Sequence, residues 1–158
     1  MLVDLLVDVA TLIEATVAFE KVSVTLPDPP QTDRCSAAYV WGTQIFDADV
    51  STQQRGDIPG CAYQRAYVIS YRLDFCLSPQ KTEKTTAEQL AEATTLYNAG
   101  DNVICALMAA ASAGTLFDTL DTCEDIAISP LVFQAPQGDR VSAVGQIRVS
   151  DPCPPAGS

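Results

Sequence analysis

Histidine is absent from this chain of 158 residues, and basic residues are few. Without an imidazole, the Ser-His-Asp and Cys-His arrangements of nucleophilic catalysis are excluded. Nine lysines and arginines stand against twenty aspartates and glutamates, which gives a formal charge of −11. Phosphate backbones would be repelled by this charge, so direct binding of nucleic acid is disfavoured.

Recognisable metal and phosphate motifs are also missing. Six cysteines are present, but no C-x-x-C pair occurs, and no glycine-rich phosphate loop is found. We therefore expect no cofactor, no metal and no enzymatic activity. Cys76 and Cys105 stand within apolar periodic segments and are expected to be buried thiols. A disulfide between Cys35 and Cys61 stays open as an alternative.

Long hydrophobic runs are lacking, and no stretch is long enough to cross a bilayer. Asp4 and Asp8 interrupt the apolar N-terminus and no basic segment precedes it, so we do not expect a cleaved signal peptide. Apolar residues instead recur at three- and four-residue spacing from Leu2 to Val17. This spacing predicts a helix that packs on a sheet.

The clearest strand pattern runs from Arg65 to Leu77, where alternate residues from Tyr67 onward are apolar. This pattern predicts a central strand with a helix on its apolar face. Further strands are expected at 20–26, 38–51, 124–133 and 140–150. In the second of these, Gly42 predicts a bulge or a close approach of another element.

A long helix is predicted from Thr85 to Ser112. Thr85 with Glu88, and Thr86 with Gln89, form overlapping capping boxes, and Gly114 is a natural residue to end the helix. Gly100 weakens its middle by roughly 1 kcal/mol, so a kink or a break can occur there. The predicted buried stripe consists of Leu90, Ala93, Tyr97, Ile104, Leu107, Met108 and Ala111.

These elements predict an α+β fold in the order α-β-β-β-α-β-β. We expect a mostly antiparallel sheet of about five strands, packed by the N-terminal helix and the long central helix. Residues 1–150 are expected to form a single domain. Residues 151–158, which are rich in proline, are expected to form a flexible tail.

The order of these elements and several short segments resemble the tail-terminator proteins of long-tailed actinobacteriophages, also called tail-completion or head-to-tail connector proteins. The segments that carry the resemblance are Arg34-Cys35, Trp41-Gly42, 56–61 (GDIPGC), 71–77 (YRLDFCL) with Pro79, 86–90 (TAEQL), 123–128 (CEDIAI) and 136–139 (PQGD). The likeness extends from about Leu2 to Val149. At 137–139 the family tends to be richer in glycine than this chain is.

The resemblance implies a structural virion protein that forms a ring of six copies at the head-tail junction. Such a ring terminates the tail tube, contacts the tube protein and the neck or head-closure protein, and is made in the host cytoplasm. DNA would pass through it without specific binding. Six copies at −11 each would carry about −66, and part of that charge lining the lumen would repel DNA.

The contacts between copies are expected on loops and on the scarce basic residues. The loop 53–60 and the turn 137–140 are held out by strands, and arginines in an acidic chain are candidates for ion pairs between subunits. The predicted subunit or lumen contacts are Arg55, Asp57, Arg65, Arg72, Gln137, Asp139, Arg140 and Arg148. For Arg65, Arg72 and Arg148 the alternative is an ordinary surface salt bridge.

Three other functions remain open. The chain could be a neck or head-closure component of the same junction, or a binding module unrelated to viruses. It could also be an enzyme that uses paired carboxylates such as Asp47 and Asp49, although surface acids on an exposed strand explain these residues better.

Overall fold

The computed structural model describes residues 2–25, 36–47, 64–76, 84–117, 125–137 and 140–151, and gives only the backbone at 44–47, 64–66, 125 and 150–151. The predicted α+β class and order of elements are confirmed. The elements are α1 (Leu2–Thr16), β1 (Lys21–Val24), β2 (Ala37–Asp47), β3 (Gln64–Cys76), α2 (Thr86–Ala113), β4 (Asp125–Ile128), β5 (Val132–Phe133) and β6 (Arg140–Asp151).

The strands form one open sheet in the order β1-β2-β3-β6-β4, with β5 also paired to β6. All strand pairs are antiparallel except β1 with β2. The long strands β3 and β6 lie at the centre and pair from Arg65 opposite Asp151 to Cys76 opposite Arg140. The sheet is therefore built on these two strands, with short strands at its borders.

The alternation predicted for β3 is confirmed. Every second residue of this strand from Tyr67 to Phe75 is buried on the face that carries the helices, which is called the inner face here. The residues opposite them on β6 continue the same layer. The buried members of the layer are Tyr67, Ile69, Tyr71, Leu73, Phe75, Val141, Ala143, Ile147 and Val149.

Helix α1 covers this layer through Leu5, Leu6, Val9, Ala10 and Ile13, which are all buried. Gly42 of β2 lies directly beneath it. A Cβ at this position would lie 2.8 Å from Leu6 Cδ2 and 3.1 Å from Leu2 Cδ1. Strand pairing continues through Gly42 opposite Ile69. The glycine therefore marks a close approach of the helix, and the ladder shows no bulge there.

Helix α2 begins and ends where its capping residues predict. Thr85 Oγ1 accepts a hydrogen bond from the Glu88 N–H at 3.2 Å. Gly114 adopts a left-handed conformation with φ of 72°, and its N–H is directed to the carbonyls of Ala110 and Ala111. Both ends of the helix are thus set by local sequence.

The helix runs unbroken through Gly100, so no break occurs there. Gly100 is buried, and a Cβ at this position would lie 2.8 Å from Leu131 Cδ2 and 2.9 Å from Phe133 Cζ. Close packing against the segment that contains β5 therefore accounts for this glycine, and the surrounding contacts compensate for its low helix propensity.

The buried stripe predicted for α2 is wrong in part. Leu107 is buried, but Leu90, Tyr97 and Met108 are more than half exposed. The fully buried positions cluster in the C-terminal half of the helix, at Gly100, Val103 and Leu107. The N-terminal half borders the segment that contains the two-residue strand β5, where Tyr97 contacts Phe133. Helical spacing alone could not reveal this difference.

The strand predicted at 124–133 is divided, so the sheet has six strands where about five were expected. Pro130 lies in the interruption between β4 and β5. Ser129 fills the gap, because its N–H donates to the Gln146 carbonyl and its Oγ accepts from the Gln146 N–H, both at 2.9 Å. Pairing along this border of β6 is thus carried across the interruption.

The expectation for the two cysteines is corrected. Cys105 is a free thiol but is exposed on α2. Cys76 forms a disulfide, and its partner lies outside the described residues. Cys76 follows the buried Phe75 and so lies on the opposite face of β3, which the helices do not cover. Cys35 and Cys61 also lie outside the described residues.

Candidate functional site

The predicted contact residues fall in different parts of the molecule. Arg55, Asp57 and Asp139 lie outside the described residues. The backbone of Arg65 pairs with Phe46 on one side and Asp151 on the other, near the end of the sheet at which β6 ends. Arg72, Gln137, Arg140 and Arg148 are described with their side chains.

Arg72 lies on the face of the sheet opposite the helices, called the outer face here, and is held within its own chain. Its Nη2 donates to Asp74 Oδ2 at 3.1 Å, and its Nε lies 3.0 Å from Asp74 Oδ1 without a hydrogen-bonding angle. The guanidinium also lies 4.9 Å from the ring centroid of Tyr39. The carboxylate and the ring together fix the orientation of this arginine.

Asp74 is fully buried although it points away from the core. Besides Arg72, it accepts a hydrogen bond from Ser142 Oγ at 2.7 Å. Ser142 is its direct neighbour on β6, and the small, buried Ala37 is its neighbour on β2. Three adjacent strands therefore build one polar cluster, formed by Tyr39, Arg72, Asp74 and Ser142, on the outer face.

Arg148 is exposed on the same face of β6, opposite Val68. Along β6, Arg148 lies four residues from the residue that is paired with Arg72. At the usual rise of a strand, this separation is about 13 Å. The structure thus places Arg72 and Arg148 on one face without bringing them together. A contact from either arginine to a neighbouring copy stays a prediction.

Gln137 and Arg140 close the predicted turn. The Gln137 N–H donates to the Arg140 carbonyl at 2.9 Å, and the Arg140 N–H donates to the Gln137 carbonyl at 3.1 Å. Gln137 is exposed and Arg140 is partly buried. The turn lies at the end of the sheet at which Cys76 ends β3, far from Arg65.

The border of β2 is the most distinctive feature for assembly. β1 pairs only with Ala37 to Val40. The Glu20 N–H donates to the Ser36 carbonyl, and the Thr25 N–H donates to the Val40 carbonyl. These two bonds show which residues along β2 direct their backbone N–H and C=O groups away from β3. By alternation, the N–H and C=O of Gly42, Gln44 and Phe46 point away from β3. Within the described ranges, no strand pairs with this part of β2.

The opposite border of the sheet is formed by short strands. β4 pairs with 147–150 of β6, Ser129 bonds to Gln146, and β5 pairs with Val144 and Ala143. These segments form hydrogen bonds with the backbone groups along this side of β6, and they themselves form the border of the sheet. The sheet therefore presents two different edges on its two sides.

Metal binding and catalysis are the chemistries to consider in the described parts of the chain. No group of three or more Cys, Asp or Glu side chains there is arranged to hold a metal ion. Burial raises the pKa of Tyr71 to about 12, which disfavours its ionisation. The Asp47 side chain and Asp49 lie outside the description.

A groove along α2 was missed by the sequence reasoning. It lies between the N-terminal half of the helix and the segment that contains β5, and Tyr97 and Phe133 form part of its wall. The sequence pattern predicts that Tyr97 is buried, whereas its ring is 56% exposed in the wall of the groove. No signal in the local sequence indicates this groove, because its walls come from α2 and from a segment more than 30 residues further along the chain.

Comparison with known proteins adds no relative: no protein-family model matches the chain, and no curated protein is significantly similar to it in sequence. No helix in the described part is both long enough and apolar enough to cross a membrane.

Proposed function

We propose that this chain is a structural ring protein of a phage virion, a tail terminator that caps the tail tube and joins it to the neck at the head-tail junction. The observation that carries the proposal is the open sheet, with a border of β2 that pairs with no described strand on one side and the β4–β5 border on the other. Unpaired strand edges favour pairing with another chain.

Two different edges on one chain favour a head-to-tail arrangement of copies. Such an arrangement closes into a ring if the rotation between copies is suitable, and it otherwise continues as a filament. The outward N–H and C=O groups of Gly42, Gln44 and Phe46 provide the donors and acceptors on one side. The resemblance described above supplies the expected number of six copies.

The charge of the chain agrees with a passage for DNA. With a formal charge of −11 per copy, a closed ring would repel the DNA backbone from any acidic part of its lumen. DNA would then pass without binding. The protein partners in this proposal are the tail-tube protein on one side and the neck or head-closure protein on the other.

Native mass spectrometry of the purified full chain tests the proposal. We expect a closed oligomer of six copies, and we expect Gln44→Pro to shift it to monomers. Proline removes an N–H that points away from β3, so the β2–β3 ladder stays intact while the outer edge loses a donor. The matched control Gln44→Ala keeps this N–H and should keep the oligomer.

A wild-type chain that stays monomeric and does not bind purified tail tubes would contradict the proposal. The role in the virion is tested by deleting the gene from a phage that carries it. Overlong tail tubes are expected for a terminator. Heads that leak DNA and carry no tails would instead assign the chain to head closure.

A further inference from the structure

The groove along α2 has a volume of about 360 Å³ and opens to solvent. Its apolar wall consists of Ala93, Leu96, Tyr97, Phe133, Pro136 and Val141. At its rim, Lys84 Nζ forms an ion pair with Glu92 at 2.9 Å. The charges at the rim neutralise each other, so the groove favours an apolar, uncharged occupant.

Two aromatic rings shape this wall. Tyr97 and Phe133 meet edge to face with their centroids 4.9 Å apart, and Tyr97 remains 56% exposed. Phe133 in turn stacks on Phe75 of the inner face, with 6.4 Å between the centroids. The exposed ring is therefore supported by the core. Aromatic-lined grooves of this kind are typical binding sites for proline-rich segments in an extended conformation.

A proline-rich segment is present in the chain itself. Residues 152–158 follow the end of β6 directly and contain Pro152, Pro154 and Pro155. None of these seven residues has a charged side chain, which matches the neutral character of the groove.

The segment cannot place its prolines in the groove of its own chain. The groove lies beside Val141, near the start of β6, whereas the segment begins after Asp151, at the other end of the strand. Ten residues of strand separate the two, which is about 33 Å. Pro155 lies four residues beyond Asp151 and can reach at most about 14 Å from it. A docked segment must therefore come from a second copy.

We propose that residues 152–158 of one copy occupy the α2 groove of its neighbour, with the prolines packed against Tyr97. This inference rests on the proposed ring, because a head-to-tail ring gives every groove one neighbouring segment. It adds a second contact between copies, separate from the pairing of the sheet edges.

Photo-crosslinking in the full chain tests this docking. Pro155 is replaced by the photoreactive residue p-benzoylphenylalanine in an unlabelled chain, which is dissociated, mixed with ¹⁵N-labelled wild-type chain, reassembled and irradiated. We expect cross-linked peptides in which unlabelled residue 155 is joined to labelled residues between 89 and 97. Joining to the chain's own residues alone, joining to other regions, or no cross-link would each overturn the proposal.

A matched pair of variants in the labelled chain sharpens the result. Tyr97→Ala should reduce the cross-link at least tenfold, whereas Leu90→Ala should leave it unchanged. Both side chains are largely exposed on the same helix, but only Tyr97 lines the groove. Circular dichroism shows whether both variants are folded, and an equal effect of the two would refute the assigned role of Tyr97.

The two proposals can fail separately. If the chain is monomeric in native mass spectrometry, the proposed ring is refuted, and no neighbouring copy is present for the segment to dock on. If the hexamer forms normally but gives no cross-link in the groove, only the proposed docking of the segment is refuted.

Discussion

Tyr71 and Asp74 stand three residues apart on β3, and neither is exposed to solvent. They lie on opposite faces of the sheet and are accommodated in opposite ways. Tyr71 lies in the apolar inner layer, and within the described residues its hydroxyl has no hydrogen-bond partner. Asp74 lies on the outer face and is bonded to both Arg72 and Ser142.

The difference shows what each face contributes. The inner face stabilises the fold by burying apolar surface, and it tolerates an unsatisfied hydroxyl because the tyrosine ring fills space well. The outer face carries no described helix, and there the buried carboxylate is matched by donors from the same strand and from β6. Polar contacts thus join the strands on the face that apolar packing does not organise.

The largest effect is expected from Gly145→Ala on the inner face. Gly145 lies directly opposite Tyr71, and a Cβ there would lie only 2.4 Å from the Tyr71 ring and hydroxyl. Because Tyr71 is enclosed, we expect a loss of about 3 kcal/mol or more in the free energy of unfolding. Urea denaturation followed by circular dichroism measures this loss.

Gly114→Ala serves as the control for this glycine. It places a methyl group in open space, and its cost should come only from the left-handed backbone, at about 1 kcal/mol. Equal losses for Gly114→Ala and Gly145→Ala would contradict the packing of Tyr71 over Gly145.

Ionisation of Tyr71 should make the inner face sensitive to alkaline pH. Its pKa is raised to about 12 in the folded chain, compared with about 10 in the unfolded chain. The unfolded state therefore loses its proton first, so stability is full below pH 10 and falls as pH rises towards 12. The expected loss is roughly 3 kcal/mol over this interval.

Tyr71→Phe is the control for the alkaline loss. It should abolish this contribution, and at neutral pH it should be as stable as wild type or more stable by about 1 kcal/mol, because no hydroxyl is left unsatisfied. Urea denaturation at several pH values measures both effects. An identical alkaline loss in the variant would exclude Tyr71 as its origin.

The inner face was predictable from the sequence because alternation and burial coincide there. Tyr67 to Phe75 and Val141 to Val149 follow a period of two, and this pattern placed them correctly. The ends of α2 were predictable for a similar reason, since Thr85 and Gly114 act through local contacts. Such features depend on neighbours along the chain.

The candidate sites depend on neighbours in space, so the sequence could not reveal them. Nothing local indicates that Asp74 meets Ser142, which is 68 residues away, or that β1 stops short of Gln44. The exposure of Tyr97 depends on how the distant segment that contains Phe133 packs against α2. The pairing of arginines was expected in general, but the partner of Arg72 follows only from the fold.

On the outer face, Asp74→Ala should destabilise the chain by about 2 kcal/mol. Removing one partner of a buried ion pair costs more when the other is fully buried, but the Arg72 side chain is 22% exposed and can be hydrated in part. Urea denaturation measures the change. In a double-mutant cycle with Arg72→Ala, the combined loss should be smaller than the sum of the two single losses. Additive losses would show that the two residues do not interact.

The smallest effect is expected for Ser142→Ala, which removes one donor to Asp74. The hydrogen bond from Ser142 Oγ is 2.7 Å long and reaches a carboxylate that keeps its contact with Arg72. We expect a loss of about 1 kcal/mol, the usual contribution of a hydrogen bond. In the Asp74→Ala background the same substitution should have almost no effect. If Ser142→Ala still costs about 1 kcal/mol in the Asp74→Ala background, Ser142 stabilises the sheet independently of the carboxylate. The outer face would then lack the polar cluster that distinguishes it from the inner face.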